Sequence, residues 1–168
     1  ADGSSLYFND MRLFGYIRVT DEAGLEKAKK GFGPEPIAPD FPTEEFVTKL
    51  RKRQTPVKTA LLDQSFISGL GNIYVDEALF RAGVRPSRKA SRVTKKEAEN
   101  IFEAAGEVMN ESIELGGTTF RDFMDTSGKE GSFVDRLAVF NRQGLPCPRC
   151  GTKIKKVVLR GRGTHYCP

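Results

Sequence analysis

Three cysteines near the end of the chain, Cys147, Cys150 and Cys167, constrain its fold more than any other feature. Cys147-Pro-Arg-Cys150 is a C-x2-C pair, and 16 residues separate Cys150 from Cys167. Zinc ribbons place two such pairs on a β-hairpin, because four ligands must surround the metal tetrahedrally at about 2.3 Å. An odd number of cysteines does not favour a disulfide framework, and a redox C-x2-C needs a βαβ context that this sequence lacks. The spacing therefore predicts a small zinc-binding hairpin.

The predicted zinc site needs a fourth ligand. If the second pair continued as Cys-Pro-x-Cys, its last cysteine would stand at position 170, two residues beyond Pro168. His165 lies two residues before Cys167, a poor spacing for binding the same ion, and a single histidine is more often a surface or packing residue. We expect one structural zinc ion held by Cys147, Cys150 and Cys167, with the fourth ligand just beyond Pro168.

The charge of the chain is unevenly distributed. Residues 138–168 contain seven basic residues and no Asp or Glu, whereas residues 1–137 contain 20 basic and 22 acidic residues. A compact basic segment of this kind is typical of nucleic-acid binding. The alternative from charge alone is a solvated basic tail that has no partner.

Hydropathy argues against membrane insertion and export. The sequence has no apolar run of about 18 residues, so no transmembrane helix is expected. Its first residues lack the basic and apolar regions of a signal peptide. We therefore expect a cytoplasmic protein with no membrane partner, most simply a monomer.

Four segments follow one another along the chain. Residues 1–20 favour a β-hairpin, which we interpret as the remnant of a sheet whose other strands precede residue 1, since a lone hairpin is marginal in water. Residues 21–42 begin with a short polar helix and continue into a proline-rich interdomain linker. Residues 43–137 predict a bundle of four or five helices. Residues 138–168, with Val139-Phe140 and 157–159 as strands, predict the zinc hairpin.

Local signals define the helices of the third segment. Thr94 and Glu97 form a capping box, and Gly116-Gly117 ends the helix that follows. Asn72 is predicted to be the N-cap of another helix that ends before Gly83. The fold class is therefore mainly α with small β elements.

Lys58 and the sequence Gly69-Leu-Gly71-Asn72 form a candidate anion site. Glycines before a helix leave backbone N–H groups pointing outward, and the helix dipole adds partial positive charge. Lys58, on the preceding helix, could add a full charge to a phosphate site. A tight corner between helices, with Lys58 beside core leucines, is the competing interpretation.

Two further segments could contact an extruded base. The glycine-rich stretch 125–133 has the composition of a mobile loop, and such loops often carry function. Arg12 and Phe14 could fill the gap that a flipped nucleotide leaves in a base stack. The competing interpretations are an ordinary solvent loop and a core phenylalanine.

Six stretches together resemble one family, the bacterial formamidopyrimidine-DNA glycosylases. They are FNDMRLFGY, GFGPEPI, KTALLDQSFISGLGNIYVDEALFRAGVRP, GGTTFRDFMDTSGKEGSF, VFNRQGLPCPRCGTKI and GRGTHYCP. The resemblance covers nearly the whole chain. The third stretch is similar to the helix–two-turn–helix element of the family, and the last two are similar to its zinc hairpin. Endonuclease VIII enzymes share both elements, but the fourth and sixth stretches are more similar to the formamidopyrimidine branch.

The resemblance implies roles for individual residues. Lys58, Gly71, Asn72 and Arg162 would bind the phosphates beside the damaged nucleotide. Arg12 would face the orphaned base, with Phe14 inserted into the stack. The loop that closes over the everted lesion would comprise Thr126, Ser127, Gly128, Lys129, Glu130, Gly131, Ser132 and Phe133.

The resemblance also implies an activity. Family members are base-excision-repair enzymes, glycosylases and AP lyases, that remove oxidised purines such as 8-oxoguanine and formamidopyrimidines from double-stranded DNA. Their nucleophile is an N-terminal proline followed by a catalytic glutamate. Because this sequence begins with Ala1-Asp2, we expect the chain to bind damaged DNA or abasic sites without cutting it. The alternatives are a stand-alone zinc-containing DNA-binding module and an endonuclease VIII-like enzyme for oxidised pyrimidines.

Overall fold

The computed structural model describes residues 13–120 and 128–168, together with Gly3, Ser5, Tyr7, Phe8 and Asp10. The chain divides into two compact units, residues 1–31 and residues 32–168. Among the described residues, no helix combines the length and apolar character that crossing a membrane requires.

The first unit contains the polar helix that the sequence predicts, α1 (Glu22–Lys29), with the Asp21 side chain as its N-cap. The predicted hairpin is wrong for the described residues before α1, none of which forms a strand. The Asp10 carboxylate instead accepts the backbone N–H groups of Phe14 and Gly15. A side chain that takes these donors competes with strand pairing, and an isolated hairpin would bury too little apolar surface to prevail.

The described residues of the second unit form four α-helices: α2 (Thr43–Lys52), α3 (Val57–Leu61), α4 (Asn72–Arg81) and α5 (Lys95–Glu114). Short 3-10 turns lie at Ala90–Arg92 and Phe133–Arg136. The helices share one apolar core, whose buried members include Leu50, Leu61, Leu79, Ile101 and Val108. Part of the predicted linker also joins this unit, because Ile37 and Phe41 pack against that core.

The longest helix begins and ends as its sequence predicts. The Thr94 hydroxyl accepts from the N–H of Glu97, and the Glu97 carboxylate accepts from the N–H of Thr94. After α5, Gly116 and Gly117 adopt positive φ angles of 72° and 96°. This conformation favours glycine and stops the helix.

The Glu97 cap should make stability depend on pH. The Thr94 N–H and the Arg88 guanidinium lower the pKa of Glu97 below its usual value. A carboxyl with a lowered folded pKa contributes stability above its unfolded pKa and loses that contribution as pH falls through the folded value. Urea unfolding of Glu97→Gln, which keeps an acceptor for the Thr94 N–H but removes the charge, should show about 0.5 kcal/mol less stability than the unchanged chain at pH 7. This difference should shrink in acid, and a constant difference would contradict a contribution from the charge of Glu97.

The C-terminal segment forms the predicted antiparallel hairpin, β1 (Lys155–Leu159) paired with β2 (Arg162–Tyr166). Arg160 and Gly161 connect the strands with positive φ angles of 49° and 77°, as a two-residue type I′ turn requires. Of the strands that we predicted, 157–159 lies within β1, whereas Val139-Phe140 does not form a strand. Val139, Cys147 and Ile154 instead form a small apolar cluster with Phe80 and Cys167 beside the hairpin.

Candidate nucleic-acid interface

Two glycines shape the turn that leads into α4. Gly69 has a φ angle of 81°, a left-handed conformation that favours glycine. Gly71 is the N-cap of α4 and supplies no side-chain acceptor. The first N–H groups of the helix also lack intrahelical acceptors, and the dipole adds partial positive charge. This helix start is therefore suited to binding an anion.

Asn72 is the first residue of α4 rather than the N-cap that we predicted. The extended backbone of Gly71, with ψ 178°, takes the cap position. The Asn72 side chain is therefore free to leave the helix, and its Nδ2 donates to the carbonyl of Gly163 at 3.0 Å. Asn72 thus joins the start of α4 to strand β2.

Lys58 lies in the interior, and the structure does not place it as the direct phosphate contact that we predicted. Its side chain is 1% exposed. Its Nζ donates to Oδ1 of Asp76 at 2.6 Å and to the carbonyl of Gly163 at 2.9 Å. Because the amine is buried and bonded to two acceptors, Lys58 positions β2 against α3 and α4.

Burial dominates the pKa values of this ion pair. It raises the pKa of Asp76 to about 6, even though Lys58 and the N–H of His165 donate to that carboxylate. It lowers the pKa of Lys58; Asp76 opposes that shift, while the positive charge of Arg162 adds to it. Burial therefore disfavours the charged form of both side chains. Their hydrogen bonds to each other and to the backbone of β2 offset part of this desolvation cost.

Arg162 presents its charge at the surface beside these buried groups. It is an exposed residue at the start of β2, next in sequence to the Gly163 carbonyl that Asn72 and Lys58 bind. The repulsion between Arg162 and Lys58 indicates that the two charges are close. An exposed guanidinium therefore neighbours the carbonyl that anchors β2 to the start of α4.

Glu77 holds the chain that precedes the hairpin. Its side chain is buried, and its two carboxylate oxygens accept the backbone N–H groups of Ala138, Val139 and Phe140 at 2.8–2.9 Å. These bonds explain why 139–140 does not pair as a strand, since its donors are already used. Asp76 and Glu77, adjacent on α4, thus bind two separate parts of the C-terminal segment.

The three cysteines meet as the spacing predicts. The sulfur atoms of Cys147, Cys150 and Cys167 all lie within 4.8 Å of one another, and the Sγ atoms of Cys150 and Cys167 are 3.5 Å apart. Thiolates around a tetrahedral zinc ion would have about this separation. His165 is not in the group. Its buried ring instead packs edge-on against Phe140.

Only part of the predicted lesion loop can be placed. Thr126 and Ser127 lie outside the described residues, while Gly128, Lys129 and Glu130 are exposed. The backbone of Gly131 lies so close to the backbone of Gly117 that a Cβ at Gly131 would be 2.2 Å from the Gly117 carbonyl oxygen. The exposed stretch 128–130 therefore ends at a tight contact between backbones.

The end of that predicted loop is bonded to the chain that follows α5, and its last residue, Phe133, belongs to the core. The N–H groups of Ser132 and Phe133 donate to the carbonyls of Leu115 and Gly117. Phe133 is fully buried and packs edge-on against Tyr74. This side chain therefore anchors the end of the loop.

The base-stacking pair can be placed only in part. Arg12 lies outside the described residues, and Phe14 belongs to the first unit, where its side chain is 83% exposed. Phe14 is therefore available for stacking and is not a core residue.

The residues that sequence analysis missed are the acids of α4. Asp76 and Glu77 interrupt the apolar run of NIYVDEALF, and two acidic side chains inside an otherwise buried helix signal buried acceptors. That signal was available in the sequence. The backbone N–H groups that they accept were not, because those groups lie 61 to 89 residues away along the chain.

Known protein families match both the helical part and the hairpin part of this interface. Residues 32–124 match the family described as formamidopyrimidine-DNA glycosylase H2TH domain, and residues 144–168 match a zinc finger found in FPG and IleRS. A formamidopyrimidine-DNA glycosylase of Listeria innocua is 45% identical over 99% of this chain. One from Geobacillus kaustophilus is 44% identical over the same share. The chain spans 62% of the length of each of these relatives.

Solved structures agree with the sequence matches. The MutM (FPG) protein of Thermus thermophilus superimposes with a TM-score of 0.89 at 42% identity, covering 99% of this chain and 64% of that one. Fpg of Lactococcus lactis, solved in a complex with DNA that contains an abasic site, gives a TM-score of 0.81 at 37% identity. That match covers 89% of this chain and 55% of the Lactococcus chain.

Proposed function

This chain belongs to the formamidopyrimidine-DNA glycosylase family, and we propose that its residues 32–168 bind the backbone of damaged double-stranded DNA. The proposal rests above all on the junction at Gly163. There α3, the start of α4 and β2 are held together by side chains, with Arg162 exposed beside them. N–H groups at a helix start and a nearby guanidinium are two donors that phosphates commonly receive in protein–DNA interfaces.

The proposed contacts differ from the initial prediction in one respect. Phosphates would be bound by the N–H groups at Gly71 and Asn72 and by the guanidinium of Arg162. Lys58 would act indirectly, because it holds the Gly163 carbonyl in place. Asn72 has a buried Oδ1 for which the described residues provide no hydrogen-bond partner. Because Oδ1 is an acceptor and cannot bond a phosphate, the donors that Asn72 offers to one are its backbone N–H and the second hydrogen of Nδ2.

Zinc would order the segment that carries Arg162. The cysteine cluster and the zinc-finger match support one structural ion bound by Cys147, Cys150 and Cys167. Zinc prefers four ligands in structural sites. A cysteine following Pro168 is the ligand that we propose as the fourth.

We further propose that the whole protein acts in base-excision repair in the bacterial cytoplasm, as a monomer, on oxidised purines such as 8-oxoguanine and formamidopyrimidines. The relatives named formamidopyrimidine-DNA glycosylase support this activity, as does the relative bound to abasic-site DNA. The lesion loop 126–133 and the stacking residues Arg12 and Phe14 would contact the everted nucleotide and its gap. An assay of 8-oxoguanine release by the whole protein tests this specificity, and release of oxidised pyrimidines alone would contradict it.

The first experiment is a titration of the 168-residue chain against two labelled duplexes, one with a single abasic-site analogue and one undamaged. We expect tighter binding to the abasic duplex and no strand cleavage in the same samples. Affinity should fall steeply with added salt, because phosphate binding releases counterions. The absence of binding at low salt by zinc-loaded chain would contradict the proposal.

Arg162→Ala should weaken binding to damaged and undamaged duplexes alike. The exposed guanidinium would contact a phosphate, and phosphate contacts carry no sequence information. We expect about tenfold weaker binding and a log–log salt slope that is reduced by about 0.9. Fluorescence anisotropy at several salt concentrations measures both quantities.

The matched control for this variant is Arg136→Ala, which removes the same charge from an exposed site in a 3-10 turn. Arg136→Ala should leave the salt slope unchanged. A loss in Arg162→Ala that is confined to the damaged duplex would mean that Arg162 reads the lesion rather than the backbone.

A further inference from the structure

Arg149 connects the zinc knuckle to the C-terminal end of α4. The residue lies between Cys147 and Cys150, and its guanidinium extends away from the cluster. Nη1 donates to the carbonyl of Phe80 at 2.9 Å, and Nη2 donates to the carbonyl of Arg81 at 3.0 Å. The guanidinium also lies over the Phe80 ring, 4.5 Å from its centroid.

These contacts suit an arginine better than any other residue. The last carbonyls of a helix lack intrahelical donors, and the negative end of the dipole attracts a cation. A planar guanidinium can bond two neighbouring carbonyls while stacking on a ring, whereas a lysine ammonium offers no such fork. The N–H of Arg149 is directed at the Cys147 sulfur at 3.4 Å, so the shape of the knuckle and the direction of the side chain are linked.

The C-terminal segment is therefore attached to both ends of α4. Asn72, at the N-terminal end of the helix, binds Gly163 of β2, and Phe80 and Arg81, at the other end, bind Arg149. A helix of ten residues places these attachments about 15 Å apart. Two attachments at this separation fix the direction of the hairpin as well as its position.

We infer that Arg149 is a positioning residue through which the zinc-ordered knuckle aligns the hairpin along α4, so that Arg162 stands beside Asn72. The inference rests on the proposed DNA-binding function, but it also predicts behaviour that involves no DNA. The inference assigns Arg149 no phosphate contact, because each of its Nη atoms donates to a carbonyl of α4. Without the contacts of Arg149, the hairpin would be docked on α4 for only part of the time. The apparent affinity for DNA would then fall in proportion to the docked fraction.

The test compares Arg149→Ala with Arg149→Lys in zinc-loaded chain. In both variants we expect duplex affinity about tenfold weaker, as the loss of charged hydrogen bonds implies, with the salt slope unchanged because no phosphate contact is lost. Zinc release to a chelator should be about tenfold faster, since the undocked knuckle is open to exchange. The thermal unfolding of the helical core should not change, and Arg136→Ala, matched in charge, should behave like the unchanged chain in all three measurements.

Other outcomes separate the alternatives. A reduced salt slope in Arg149→Ala that Arg149→Lys restores would overturn the inference in favour of a direct phosphate contact. Unchanged affinity together with unchanged zinc release would also overturn it. If the unchanged chain binds no duplex, the proposed function fails, and zinc release alone still decides the role of Arg149. If Arg149→Ala does not fold, Phe80→Leu, which removes the stacking ring, must show the same changes to a smaller degree or the inference fails.

Discussion

Replacing Glu77 with alanine will lower the free energy of unfolding by about 4 kcal/mol. The reason is that the carboxylate is the buried acceptor for three consecutive backbone N–H groups, those of Ala138, Val139 and Phe140. A buried donor left unsatisfied costs about 1–3 kcal/mol, and bonds to a charged acceptor are among the stronger ones. Urea unfolding followed by circular dichroism measures the loss.

Two companion variants define what this loss means. Glu77→Gln keeps one acceptor oxygen but turns an amide toward donors, so its loss should fall between those of the unchanged chain and Glu77→Ala. Glu103→Ala removes an exposed acid from α5, and it should change stability by less than about 0.5 kcal/mol. If Glu77→Gln is as stable as the unchanged chain, the three bonds contribute less than their burial implies.

Removing the metal will have a larger effect on DNA binding than any single substitution outside the cysteines. The apolar cluster beside the hairpin contains only three buried residues, Val139, Cys147 and Ile154, which is too few to hold such a segment folded without a ligand. Chelation, or Cys147→Ser, should therefore unfold residues 144–168. The helical core, which is far larger, should remain folded.

Zinc loss should weaken duplex affinity about a hundredfold, because an unfolded hairpin neither positions Arg162 nor holds Gly163 against α4. Amide exchange of the hairpin and far-UV circular dichroism of the helices distinguish local from global unfolding. Returning zinc to the chelated chain should restore affinity, while Cys147→Ser should not recover. Full affinity in chain shown to be free of metal would refute the role of the hairpin as a phosphate clamp.

The elements that depend on nearby residues could be predicted from the sequence. The capping box of Thr94 and Glu97 lies within one helical turn, and the I′ turn at Arg160-Gly161 lies within one hairpin. The cysteine cluster was also predictable, because the tetrahedral geometry of zinc restricts the spacing of its ligands. In each case the sequence near the element contains most of its physical cause.

What could not be predicted depends on partners far along the chain. Lys58 had the pattern of an exposed phosphate ligand, but the structure buries its amine against the Asp76 carboxylate. Val139-Phe140 has strand propensity, yet Glu77 takes its donors. Phe133 ends a glycine-rich stretch that predicts a loop, but its ring is buried in the apolar core. At such positions the local sequence shows which kind of side chain is present, and contacts with residues distant in sequence determine what that side chain does.

The buried bond of Lys58 also sets an order of events during synthesis. Its carboxylate partner Asp76 follows only 18 residues later, but Gly163 follows 105 residues later. At translation rates of about 5–20 residues per second, that carbonyl is made roughly 5–20 s after Lys58. During this interval the helices can fold on the ribosome with the lysine amine lacking its second acceptor. The completed hairpin then docks last, onto a helical surface that is already formed.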